Sequence, residues 1–157
     1  MLNTQAYLDA LSQVPPVDDI EFGYRTVQVY DPDELEEAQL GYRVDPEGRD
    51  LTGTNEGDWR PEWLVIAYED ELGDPLFADT SAPGLPVYTA THGEGDWTPE
   101  LVADTFEGFV AALSEVASAP DDPLSTRQRH ALVKRIRKIN PTASLDWWEA
   151  WLTNMDE

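Results

Sequence analysis

Residues Trp63-Leu64-Val65-Ile66-Ala67-Tyr68 constrain this chain more than any other stretch. Six successive apolar or aromatic side chains leave neither face of a strand polar, so the segment predicts a central strand covered on both sides. The turn residues Glu69 to Asp74 send the chain back through Leu76-Phe77-Ala78-Asp79. Pro86-Val87-Tyr88-Thr89-Ala90-Thr91 then supplies another strand after the turn at Ala82-Pro83-Gly84. The pattern is a meander.

Upstream, Ala6, Tyr7, Ala10, Leu11 and Val14 recur at helical spacing behind Thr4, and Pro15-Pro16 stops that helix. The aromatic and β-branched run from Phe22 to Tyr30 reads as one strand. Asp31-Pro32-Asp33-Glu34 reads as a helix start, with Asp31 as cap, Pro32 in the first helical position and Glu34 as return partner; Gly41 ends it. Asp45 to Pro61 shows neither period and reads as a long loop, a class that tends to be functional or mobile.

Downstream, Thr98-Pro99-Glu100 is read as opening a helix striped by Val102, Phe106, Phe109, Leu113 and Val116. Ala119 to Pro123 is a linker. Ser125 or Thr126 then caps a basic helix with Leu132, Val133, Ile136 and Ile139 on one face, closed by Asn140-Pro141. Ser144 starts a last short helix with Trp147, Trp148, Trp151 and Leu152 on one side. The expected fold is α+β: a mixed or mostly antiparallel sheet flanked by helices in residues 1–120, with a two-helix extension, 124–157, packed on it.

Charge sets the range of function. The 157 residues hold 32 acids and 10 bases, for a net −22, and six of the bases lie between Arg127 and Lys138. The first 126 residues carry 28 acids against four bases, a net −24. Such a surface repels phosphates, which argues against nucleic acid as partner, and it steers cationic proteins into encounter. Acid-rich composition with two Lys also suits a saline cytoplasm. Without Cys, disulfides, zinc–thiolate sites and thiol nucleophiles are excluded. No apolar run approaches a membrane span and the first residues lack a signal-peptide pattern, so a cytoplasmic protein is expected.

Catalytic and metal candidates are sparse. His92, in Thr91-His92-Gly93-Glu94, has the residue types of a base oriented by a carboxylate, but no nucleophile accompanies it, and a surface-loop role is expected. Asp79-Thr80-Ser81 resembles half of an aspartic-protease pair without its second copy, and reads as a turn cap. The acids at 45–58 and 69–74 miss the Gly and Glu positions of an EF-hand loop, so neither a metal nor any other cofactor is expected. The basic helix is expected to dock on the acidic body and neutralise it. The Trp147, Trp148, Trp151 set is expected in the core, the alternative being an exposed anchor that recruits a non-toxin partner to a regulatory or scaffold module.

From residue 59 to 113 the chain resembles the SUKH superfamily, bacterial immunity proteins and yeast regulators of cell-wall glucan synthesis. The resemblance rests on Trp63-Leu64-Val65-Ile66-Ala67, Gly73-Asp74, Leu76-Phe77-Ala78-Asp79, Pro86-Val87-Tyr88, His92-Gly93, and a helix with Phe106 and Phe109-Val110. It implies an α+β fold without enzymatic activity and, in bacteria, neutralisation of a polymorphic toxin, commonly a nuclease, by direct binding. The N-terminal third lacks the Leu-Pro opening and Asn-Gly pair usual in that family.

Between Asp45 and Asp74 ten acids and two bases are interrupted by Trp59, Trp63 and Tyr68. Asp45, Glu47, Asp50, Glu56, Asp58, Glu69, Asp70 and Glu71 are therefore the expected contacts to a basic partner, a toxin domain, with Trp59 as aromatic anchor.

Overall fold

A computed structural model describes residues 4–14, 19–22, 25–70, 73–90, 97–119 and 124–153. Six strands follow one another in sheet order, every neighbouring pair antiparallel: β1 (Ile20–Phe22), β2 (Arg25–Val29), β3 (Trp63–Glu69), β4 (Pro75–Asp79), β5 (Val87–Thr89) and β6 (Glu100–Ala103). The sheet curls into a half-barrel. Helices α1 (Thr4–Ser12), α3 (Phe106–Ala117), α4 (Thr126–Ile139) and α5 (Asp146–Thr153) accompany it, with a 3-10 turn, Pro32–Glu34, leading into the short α2, Leu35–Ala38. The α+β architecture is the one the sequence predicts.

Side-chain alternation in β3 and β4 divides the interior in two. Leu64, Ile66, Leu76 and Ala78 join the core that the helices cover, with Phe106, Phe109, Leu113 and Val116 of α3. Trp63, Val65 and Phe77 face the other way, where Ala38, Trp59 and Ala90 meet them. Both faces of β3 are buried, as six apolar residues in succession require.

Two elements differ from the sequence reading. The run Phe22 to Tyr30 is divided: Arg25–Val29 form β2, while Phe22 ends β1, and the two strands pair as a hairpin with Ile20↔Val27, Glu21↔Thr26 and Phe22↔Arg25. The helix read from Thr98 begins only at Phe106. Glu100 to Ala103 instead pairs with β5, and Thr105 caps α3 by accepting the Gly108 N–H at 2.9 Å. Val102 thus belongs to a strand.

Helices α4 and α5 belong to the main core: Leu132, Val133, Ile136, Leu145, Trp148, Trp151 and Leu152 are buried in the same cluster as Leu64 and Phe109. They also close the sheet edge at β6. The Ser144 N–H donates to the Leu101 carbonyl at 2.8 Å, and Trp148 Nε1 donates to the Val102 carbonyl at 2.8 Å. Asn140 ties the same corner, accepting the Asp104 N–H at 3.0 Å and donating to the Gly108 carbonyl at 3.2 Å.

Candidate functional site

The loop from Asp45 to Pro61 folds back over the second sheet face. Trp59 is its plug: 1% exposed, with ring centroids 4.6 Å from Phe77, 5.1 Å from Trp63, 5.1 Å from Trp97 and 5.3 Å from Tyr42. The sequence places Trp59 on the surface as an anchor; the structure places it in the core, because the strand side chains beneath it need an apolar cover. Its indole Nε1 finds no hydrogen-bond partner there among the described residues. Glu69 is likewise withdrawn from the expected surface at 1% exposure, its Oε1 accepting the Asp74 N–H at 3.2 Å.

Much of the remaining acidity shapes backbone. Asp45 accepts from the N–H groups of Glu47 and Arg49 at 2.9 and 2.8 Å and pairs with Arg49 Nε at 2.7 Å. Asp50 accepts from the Thr52 hydroxyl at 2.7 Å and its N–H at 2.9 Å; the hydroxyl bond first, then the backbone bond, lowers its carboxyl pKa. Asp58 accepts the Asn55 N–H at 3.0 Å, and Asp70 the Thr26 N–H at 2.7 Å. The bonds of Asp45, Asp50 and Asp58 are local turn closures by short carboxylates, whereas that of Asp70 ties the end of β3 to β2. Glu47 and Glu56 point outward. Glu56 and Asp58 line a cavity of about 400 Å³ with Trp63 and Trp97, but Arg60 sits among them. Glu71 and His92 lie outside the described residues.

The residues of the family resemblance are structural where they are described. Trp63, Phe106 and Phe109 are buried; Gly73, at φ +74°, holds the β3–β4 turn with Asp74 beside it; Asp79 accepts from the Ser81 N–H and hydroxyl at 2.9 and 2.6 Å, which closes the next turn.

A different acidic feature escaped the sequence reading. Asp19, Glu21, Asp31 and Glu34 line a groove of about 590 Å³ with Gln28, Tyr30 and Tyr68, and among the described residues no basic side chain lines it. The hairpin and β3 build it. Gln28 lies opposite Tyr68 in the β2–β3 register, and the Tyr68 hydroxyl donates to Gln28 Oε1 at 2.6 Å. Tyr30 packs on Tyr68 with ring centroids 5.3 Å apart. Burial pushes the Tyr30 hydroxyl up to about 12, with further upward pressure from Tyr68, Tyr42 and Glu34. One Glu34 oxygen accepts the Asp31 N–H at 3.0 Å, the return bond of the capping box. The helix-start motif legible in the sequence thus delivers two of the four carboxylates. Finding the other two required knowing that Ile20 to Val29 form a hairpin, which sets Glu21 opposite Thr26 on β2.

Ionised carboxylates accept hydrogen bonds and offer none, and tyrosine faces attract cations, so the groove suits ammonium or guanidinium groups. Among the described residues no group of three or more His, Asp or Glu is placed to hold a metal ion, and no helix is long and apolar enough to cross a membrane. The basic helix docks on the body through its apolar face; Arg127, Lys134, Arg137 and Lys138 are exposed, and among the described residues Arg135 alone of its cations makes an ion pair, with Glu115 at 2.9 Å. Trp148 and Trp151 are buried and Trp147 is partly exposed, so the aromatic set packs in the core as expected. No protein-family model, curated protein or solved structure matches this chain.

Proposed function

We propose that this chain is a non-enzymatic binding protein that neutralises a cationic, nuclease-like toxin domain by covering its surface in the cytoplasm. The observation that carries the reading is the groove with four carboxylates and two tyrosine rings, and with no basic side chain among its described lining residues. The net −24 of the first 126 residues supports it, because a field of one sign raises the encounter rate with a basic partner. The resemblance between residues 59 and 113 and an immunity family points the same way. In this reading the groove receives Lys or Arg side chains of the toxin, and the Asp45–Pro61 loop contributes through outward Glu47 and Glu56 while its interior supports the sheet.

Growth protection tests it. The reading frame beside this gene, expressed in a heterologous host, is expected to arrest growth alone and to be tolerated when this chain is co-expressed. Asp19→Lys together with Glu21→Lys, both exposed, is expected to abolish protection while the purified variant keeps its circular dichroism spectrum. Full protection by that variant contradicts the role given to the groove.

A further inference from the structure

The exposed face of α4 is not absorbed by this reading. Its 14 residues contain six cations and no acid. Leu132, Val133 and Ile136 bury one side against the core, which fixes the opposite side outward. At 100° per residue, Arg127, Lys134 and Lys138 fall on one line along that outer side, with Arg137 and Arg135 flanking it. Eleven residues separate the ends of the line, a ridge roughly 16 Å long at about 1.5 Å per residue.

Helix stability does not account for it. Cations suit the last turn, which explains Arg137 and Lys138, but Arg127 and Arg129 sit in or beside the first turn, where the helix dipole disfavours them. Lys134 and Lys138 also repel at i,i+4 spacing. Capping is supplied separately: Ser125 Oγ accepts the Gln128 N–H at 3.1 Å, and Gln128 Oε1 accepts the Ser125 N–H at 2.8 Å.

We propose that this ridge docks a short acidic segment of a protein partner, distinct from any cation held in the groove. Charge complementarity selects an anion, and the ridge's length selects a short one. Helices α3 and α5, packed beside α4, expose Glu107, Asp146 and Glu149, so an extended polyanion overrunning the ridge meets like charge. Five extended residues, at about 3.3 Å each, match the line from Arg127 to Lys138.

The test is fluorescence anisotropy of a labelled penta-glutamate peptide with the whole chain in salt of about 0.15 M, where the Debye length is about 8 Å and the distant acidic body is largely screened. Saturable binding is expected. Lys134→Glu is expected to weaken it about tenfold or more, while Arg49→Glu, the same charge change at an exposed site in the 45–61 loop, changes it less than about twofold. Both variants replace exposed side chains, and matching circular dichroism spectra show that they fold. Absence of saturable peptide binding overturns the proposal, as do equal losses in the two variants. Tighter binding to duplex DNA or to phosphatidylserine vesicles than to the peptide also overturns it, by assigning the ridge to a polyanion.

Discussion

The Gln39 side chain completes the β-ladder at Val65: Nε2 donates to the Val65 carbonyl at 2.9 Å, and the Val65 N–H donates to Oε1 at 2.9 Å. Strand β2 pairs with β3 as far as Val29↔Ala67, and the Tyr30 N–H still reaches the Ile66 carbonyl at 2.9 Å. There the chain turns away into Pro32–Glu34, beside a register irregularity between Val65 and Ala67. A side-chain amide has the donor and acceptor of a peptide unit, so Gln39 serves as the missing strand residue. The same bend that Gln39 secures carries Asp31 and Glu34 to the acidic groove.

Gln39→Leu leaves two buried backbone groups of Val65 without partners. At about 1–3 kcal/mol for each such group, urea denaturation is expected to show a loss of roughly 2–6 kcal/mol. A loss below about 0.5 kcal/mol contradicts this role.

Trp59 distinguishes a core plug from a surface anchor. Trp59→Ala is expected to cost about 3–5 kcal/mol by chemical denaturation, as for other buried Trp truncations. Trp59→Phe is expected to cost less, since the indole Nε1 has no partner to lose. An exposed anchor predicts changes within about 0.5 kcal/mol for both.

Gly108 and Asn140 are coupled by contact. A Cβ at Gly108 meets Asn140 Oδ1, so Gly108→Ala is expected to destabilise, although this exchange within a helix ordinarily gains up to about 1 kcal/mol. In an Asn140→Ala background the cost of Gly108→Ala is expected to shrink, with a coupling of at least about 0.5 kcal/mol in the double-mutant cycle. Additive effects contradict the contact.

Alkaline titration reads Tyr30 of the groove. Tyr30 is raised from 10.0 to about 12 by burial first and by neighbouring charge second. Its stabilising contribution is fully present below pH 10.0 and is lost as pH rises towards 12. Unfolding and tyrosinate absorbance at alkaline pH are therefore expected to rise together, and Tyr30→Phe to reduce the pH dependence between those values. An unchanged pH dependence in that variant contradicts the assignment.

The sheet was legible where one physical signal dominated. The run Trp63 to Tyr68 had to be covered on both sides, and the Asp31-Pro32-Asp33-Glu34 start contained its own capping chemistry. Glu100 to Ala103 was misread because four residues are too few to display a period, and Val102 falls in phase with the stripe of the helix that follows. Gly23 inside an aromatic run concealed a hairpin, and with it the groove. Trp59 was misplaced because its charged neighbours describe the outer side of a loop whose inner side is set by strands distant in sequence. Local composition records exposure poorly when a loop is itself a layer of the fold.

Stopped-flow association of this chain with the cationic toxin domain proposed as its partner, followed across ionic strength, bears most directly on the acidic-groove account. The rate is expected to fall about tenfold or more as salt rises from about 0.02 to 0.5 M, and to lose most of that dependence in the Asp19→Lys, Glu21→Lys variant. A rate indifferent to salt, or a dependence unaltered by the two reversals, contradicts it.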